Sequence, residues 1–291
     1  MSLVWKVFDA EPEVLFIERG SDILAACTLF VRQTGPFSKA GLAPFLPFTP
    51  FIFRSEIRQT DVNQHRSVLD SVEVFLRQKY DQVRIHLPLS VADPRTFQWA
   101  GWSVSPLFTP VGFLPDCADV TTWSKGTAKL VEMHASQFDI SNHKDNVAHV
   151  VRLVAESYSR NERTLPERPE RMHELISELT DAGLALPYLA RSRSSGASEA
   201  GVIALRDAGQ ACYWLAGSTK GPAMTVLIAT LLNDLVASGC TSIDFVGANT
   251  ATIAEFKRHF NTALRTYYAC SITPSVGVST IDLLRRLRRR G

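Results

Sequence analysis

No run of about 18 apolar residues occurs in the 291-residue sequence, so no membrane-spanning helix is expected. The opening stretch MSLVWKVFDAEPE has neither a basic n-region nor an apolar h-region, which argues against a secretory leader. There is no C-x-x-C pair. The five cysteines (Cys27, Cys117, Cys212, Cys240 and Cys270) are odd in number and widely spread, as befits reduced thiols in a cytoplasmic protein and not a disulfide frame or a zinc cage. The seven histidines form no H-x-x-x-H or H-E-x-x-H pair, so nothing calls for a metal. Neither a cysteine nor a serine sits in an elbow such as G-x-S-x-G, which speaks against a covalent nucleophile.

The composition is that of a globular protein with a full core: 45% of residues are hydrophobic and 21% charged. The length suits two domains of roughly 100–180 residues each. A net charge of +2 hides an asymmetry, because five of the 31 basic residues lie in the tail RRLRRRG (285–291). Residues 1–284 carry 26 basic against 29 acidic groups, so the body is mildly acidic. Such a tail suits RNA phosphates or peripheral contact with an anionic membrane, and equally a solvated terminus.

In the second half, LALPYLARS (184–192), AGVIALRD (200–207) and QACYWLAG (210–217) read as three strands of an antiparallel meander. PAMTVLIATLLNDLVASG (222–239) reads as a helix apolar almost all round, hence buried against a sheet. A strand at 241–247, a helix at 252–262 and a strand at 264–273 follow. The first half repeats this order: strands at 14–20 and 23–33, a helix at 68–80, a strand at 83–88, a short helix after Asp93-Pro94 and a strand at 102–113. Phe108-Thr109-Pro110 takes the place of Ile272-Thr273-Pro274, and the matching order points to an internal duplication. Residues 114–125 read as the boundary, giving domains 1–115 and 116–291, the second led in by helices at 146–160 and 169–183. The Phe- and Pro-rich stretch Phe37–Phe53 is excluded from a central strand by its prolines and reads as a rigid loop, either a groove for an acceptor or a lid.

Gly217-Ser218, Asp244-Phe245-Val246-Gly247, Phe256-Lys257 with Phe260 three residues on, and Tyr267-Tyr268 form a series with its own spacing. This series, and the element order around it, resembles the GNAT N-acetyltransferase superfamily. The branch resembled carries two GNAT-like units in one chain, as in the Fem peptidoglycan-bridge aminoacyltransferases and acetyltransferase-like bacterial relatives. The likeness is good over 184–273, weaker over 146–180, where YSRNER (158–163) resembles a "Tyr … Arg" stretch, and faint in the first half. It implies an α/β (α+β) fold of two units, each a mixed, mostly antiparallel sheet flanked by helices. It also implies an acyl donor, acetyl-CoA or another acyl-CoA, or an aminoacyl-tRNA. The acceptor would be an amine on a small molecule, a cell-wall precursor or a polysaccharide. Three features depart from the pattern: Asn261 replaces the usual glycine, KLVEMHASQFD (129–139) holds one lysine where relatives carry a basic stretch, and the Gln/Arg-x-x-Gly-x-Gly pyrophosphate loop is missing. A non-catalytic binding or scaffold protein of the same fold is the rival reading.

Gly217, Ser218, Thr219, Lys220 and Gly221 precede the buried helix, whose first turn offers unpaired N–H groups and partial positive charge; they form a candidate phosphate cradle or, more simply, a helix cap. Thr252-x-x-Glu255 reads as a capping box that starts the next helix near Ile253. Helix phase then places Lys257 at the border of the Phe256/Phe260 face, where it can reach a cleft or merely snorkel, while Arg258 points to solvent. Asp244, on a strand covered on both faces, needs a partner and is a candidate base or positioning group. Tyr267 and Tyr268 alternate, so one of them can face a cleft and protonate a leaving group.

Overall fold

A computed structural model describes residues 7–8, 12–55, 57, 62–275 and 277. The chain divides into two compact units, Met1–Leu107 with Thr266–Gly291, and Phe108–Arg265. The Arg-rich tail at 285–291, with its expected contacts, lies outside the described residues.

The first unit contains β1 (Pro12–Arg19), β2 (Asp22–Thr34), β3 (Phe37–Gly41), β4 (Phe51–Phe53), helix α1 (Val62–Lys79), β5 (Gln82–Leu87), helix α2 (Arg95–Trp99) and the start of β6 (Ser103–Phe113). Its sheet runs β1-β2-β3-β5 and ends on the strand Ala263–Ile272, with β4 beside β2. The β3–β5 pair is parallel and the others are antiparallel. Val68, Leu69, Val72 and Leu76 form the apolar stripe of α1 and pack with Cys27, Leu29, Val83, Ile85 and Leu87 of the strands. Glu73 on that stripe is buried, and Trp102 Nε1 donates to its Oε1 at 2.9 Å. The structure corrects one expectation here: Phe37–Gly41 is an interior strand, because Pro44, Pro47 and Pro50 all lie beyond it in the connection to β4.

The second unit holds the end of β6, helix α3 (Lys125–His134), β7 (Phe138–Asn142), α4 (Val147–Arg160), α5 (Pro169–Asp181), β8 (Ala185–Ser192), β9 (Ser198–Asp207), β10 (Gln210–Ser218), α6 (Ala223–Ala237), β11 (Ser242–Asp244), α7 (Ala251–Lys257) and the start of β12 (Ala263–Ile272). Its strands follow the order β6-β11-β10-β9-β8-β7, parallel at β10–β11 and antiparallel elsewhere. Strand alternation puts Tyr188, Ala190, Ala200, Val202 and Ala204 on the face packed by α6. Gly201, of opposite parity, lies under Val150 of α4, so α4 covers the other face.

The final strands are exchanged. Val111–Phe113 of β6 pair with β11 in the second unit, and Tyr268–Ile272 of β12 pair with β5 in the first. The expected division at 115/116 therefore falls inside the second unit, because each sheet is finished by a strand from the other half of the sequence. The registers also shift the expected repeat: Phe113 meets Ser242 at the start of β11 as Ile272 meets Val83 near the start of β5. Thr109 thus has no counterpart in Thr273.

Candidate active site

The parallel ladder between β10 and β11 covers three pairs, from Gln210–Ser242 to Cys212–Asp244. Beyond it the two strands part. On its other side β10 shifts register against β9 between Tyr213 and Leu215, a bulge centred on Trp214. After Asp244 the chain turns toward β6: Phe245 N donates to Pro110 O at 2.9 Å, and Ala248 N to Phe108 O at 2.9 Å. Asn249 clasps the same strand, accepting from Phe108 N at 2.8 Å and donating to Phe108 O at 3.3 Å. Where the ladder ends, the buried Tyr213 and Phe245 rings stack at 5.6 Å.

At the end of β10 stands the candidate cradle. Gly217 is buried under α4, where a Cβ would collide with the Leu153 backbone. That close approach carries the end of α4 to the loop, and Arg160 donates to Ser218 O. Thr219 N donates to Glu199 O at 2.8 Å, Gly221 adopts φ 141°, and Pro222 caps the N-terminus of α6. Lys220 is exposed. The end of β10 thus gathers Lys220, Arg160 and the positive end of a 15-residue helix. The candidate residues Gly217, Ser218, Thr219, Lys220 and Gly221 are brought together, with Gly217 acting through packing.

Lys257 lies under the 245–247 turn. It is 7% exposed, and its Nζ donates to three carbonyl oxygens: Phe245 at 2.6 Å, Val246, and Gly247 at 3.0 Å. The Tyr213 ring lies 5.5 Å from the ammonium. Val246 has φ 49° and Gly247 φ 58°; for a β-branched residue this left-handed conformation costs about 1–2 kcal/mol. Asp244 Oδ1 accepts from Val246 N at 2.7 Å and from Thr109 Oγ1, so the carboxylate holds the entry to the turn and Lys257 its interior. Burial pushes the lysine's pKa down to about 8, while Asp244 and Cys212 pull it up. Burial raises the pKa of Asp244, opposed by the Thr109 and Val246 hydrogen bonds and by Lys257. Lys257 and Asp244 therefore sense each other through space while each is bonded to the turn.

Several local expectations need correction. α7 starts at Ala251 behind Thr250, with no side-chain cap, and Glu255 bonds Arg258 at 2.6 Å instead of the helix start. Lys257 points inward and not to the border. Asn261 has φ 51°, a conformation asparagine adopts more readily than most residues, and its Nδ2 donates to Thr122 Oγ1 at 3.0 Å. Tyr267 is buried in the first unit, edge-on to Phe48 at 4.9 Å and 5.9 Å from the His86 ring, whereas half-buried Tyr268 packs on the helix α1 core. Sequence reasoning missed Thr109 and Arg160 as site neighbours, although both lie in stretches it had singled out.

Residues 121–258 match the family profile described as Acetyltransferase (GNAT) domain, a class whose chemistry is acyl transfer. No curated protein sequence matches the chain. Among solved structures, FemX superposes with a TM-score of 0.67 over 91% of this chain and 89% of its own, at 10% identity. L-PGS from Bacillus licheniformis gives 0.56 over 98% and 91%, at 13% identity. A tandem GNAT protein from the clavulanic acid biosynthesis pathway, solved without AcCoA, gives 0.56 over 91% and 84%, also at 13% identity. Among the described residues no helix is long and apolar enough to cross a membrane. The chain thus has the α/β fold seen in FemX and in a tandem GNAT protein, and residues 121–258 resemble the acetyltransferase (GNAT) domain.

Proposed function

We propose that this protein is a cytoplasmic N-acyltransferase that passes an acetyl or aminoacyl group to an amine by direct attack. The observation that carries this reading is the end of the β10–β11 ladder at Cys212–Asp244, which would leave a slot between β10 and the 245–247 turn, with the Lys220/Arg160 loop and the α6 N-terminus at the end of β10. An activated acyl group would lie in the slot, and the donor's phosphates would meet the loop. The acceptor amine would attack the acyl carbonyl with no enzyme-bound intermediate, so catalysis would rest on positioning and charge. Asp244 and Lys257 serve by shaping the slot.

Two donors fit. Acyl-CoA belongs to the wider GNAT class. Aminoacyl-tRNA is favoured by the missing pyrophosphate loop and by the likeness to FemX, and the Arg-rich tail would suit either tRNA or a membrane-bound acceptor. The acceptor would be a small-molecule, cell-wall or polysaccharide amine. Thermal-shift and calorimetric titration with acetyl-CoA, longer acyl-CoAs and charged tRNA separates these donors. Binding of one donor that weakens roughly tenfold in both Lys220→Ala and Arg160→Ala supports the site, about one charge-assisted contact each. No binding of any donor sinks the enzyme reading and leaves a GNAT-fold scaffold.

A further inference from the structure

We infer that Lys257 is a positioning residue, a cationic strut that holds the 245–247 turn in its left-handed course and so keeps the strand after Asp244 away from β10. This inference rests on the acyl-donor slot proposed above for its functional meaning, but its structural core is independent of it.

Three observations meet at one atom. The carbonyls of Phe245, Val246 and Gly247 converge on Nζ, and like dipoles aimed at one point repel unless a cation sits between them. The turn they form needs φ 49° at Val246, which a valine does not adopt unless its surroundings impose it. The turn also marks the place where the β10–β11 ladder ends and the chain bonds to Pro110 and Phe108 instead. Without the ammonium, the buried Phe245 carbonyl and the half-buried Val246 and Gly247 carbonyls lose their donor, and the turn relaxes back toward β10. Lys257 would then govern whether a slot exists. The contact with donor or acceptor would fall to other groups.

The test uses the full chain. Lys257→Met keeps the length of the side chain without its charge, and Arg258→Ala removes the exposed neighbouring charge paired with Glu255. By hydrogen exchange, the Phe245 and Ala248 amides in Lys257→Met should exchange roughly tenfold faster or more, while β8 and β9 stay as protected as in the wild type. Affinity for acetyl-CoA or charged tRNA, whichever the wild type binds, should fall roughly tenfold or more, and Arg258→Ala should change neither readout. In Lys257→Ala, which leaves the carbonyls and a vacated channel, added propylammonium should restore slow exchange at Phe245 and Ala248. Unchanged exchange at 245–248 overturns the proposal. So does acceleration spread evenly over the unit, which marks a merely structural lysine, or failure of propylammonium to rescue. Should the wild type bind neither donor, the acyltransferase reading fails while the exchange and rescue data still decide on the strut.

Discussion

At the scale of single residues, the unusual choice is a charged lysine among carbonyls where an apolar side chain would cost less to bury. Its pKa is depressed in the fold from 10.5 to about 8, mainly by burial, so between those values the folded chain holds fewer protons than the unfolded one. Linkage then makes this group's contribution to stability rise with pH across that window. The groups facing the ammonium are Asp244, Cys212, the Tyr213 ring and the three carbonyls. Donor affinity should therefore decline above pH about 8 while the denaturation midpoint shows no matching decline from Lys257; a parallel loss of both would show that the charge serves stability instead. Asn261 poses the opposite case. Replacing it by glycine should leave the urea midpoint nearly unchanged, whereas Asn261→Val should cost about 1–2 kcal/mol, since valine resists φ 51°. The departure from the glycine of the series it resembles is then conformationally silent.

At the scale of elements, α4 is placed by a missing side chain. Gly217→Ala would drive a methyl group into the Leu153 backbone, so the helix must move or the strand must bend. We expect a loss of about 1–3 kcal/mol, the usual cost of overpacking, and a fall in donor affinity as Arg160 leaves Ser218. Guanidinium melts and calorimetric titration of the variant check the two parts separately. The same elements show which parts of the fold were legible. The meander and the buried helix could be read from the chain because apolar periodicity is a local property, and β8, β9, β10 and α6 lie within a few residues of their expected spans. The strand expected at 241–247 breaks off at Asp244 because its later residues bond to Phe108 and Pro110, a partner more than a hundred residues earlier that no local pattern reveals. Lys257 went inward for the same reason: its partners are carbonyls of a turn whose φ at Val246 runs against valine's preference.

At the scale of the molecule, neither half of the chain can complete a sheet. Fragments 1–115 and 116–291 should each be poorly folded when made alone, since the first lacks the strand that flanks β5 and the second lacks Phe108–Phe113 beside β11. Circular dichroism melts and one-dimensional proton spectra of the two fragments, alone and mixed, check this; a cooperative melt from either fragment alone would contradict it. The exchange also sets a timetable for synthesis. While the ribosome is still making the second unit, β5 waits with one edge bare, because its neighbour is among the last strands translated. That edge is sticky to other nascent chains, so the interval from Leu87 to Tyr268 is when a chaperone would be most needed and when slow codons would do most harm.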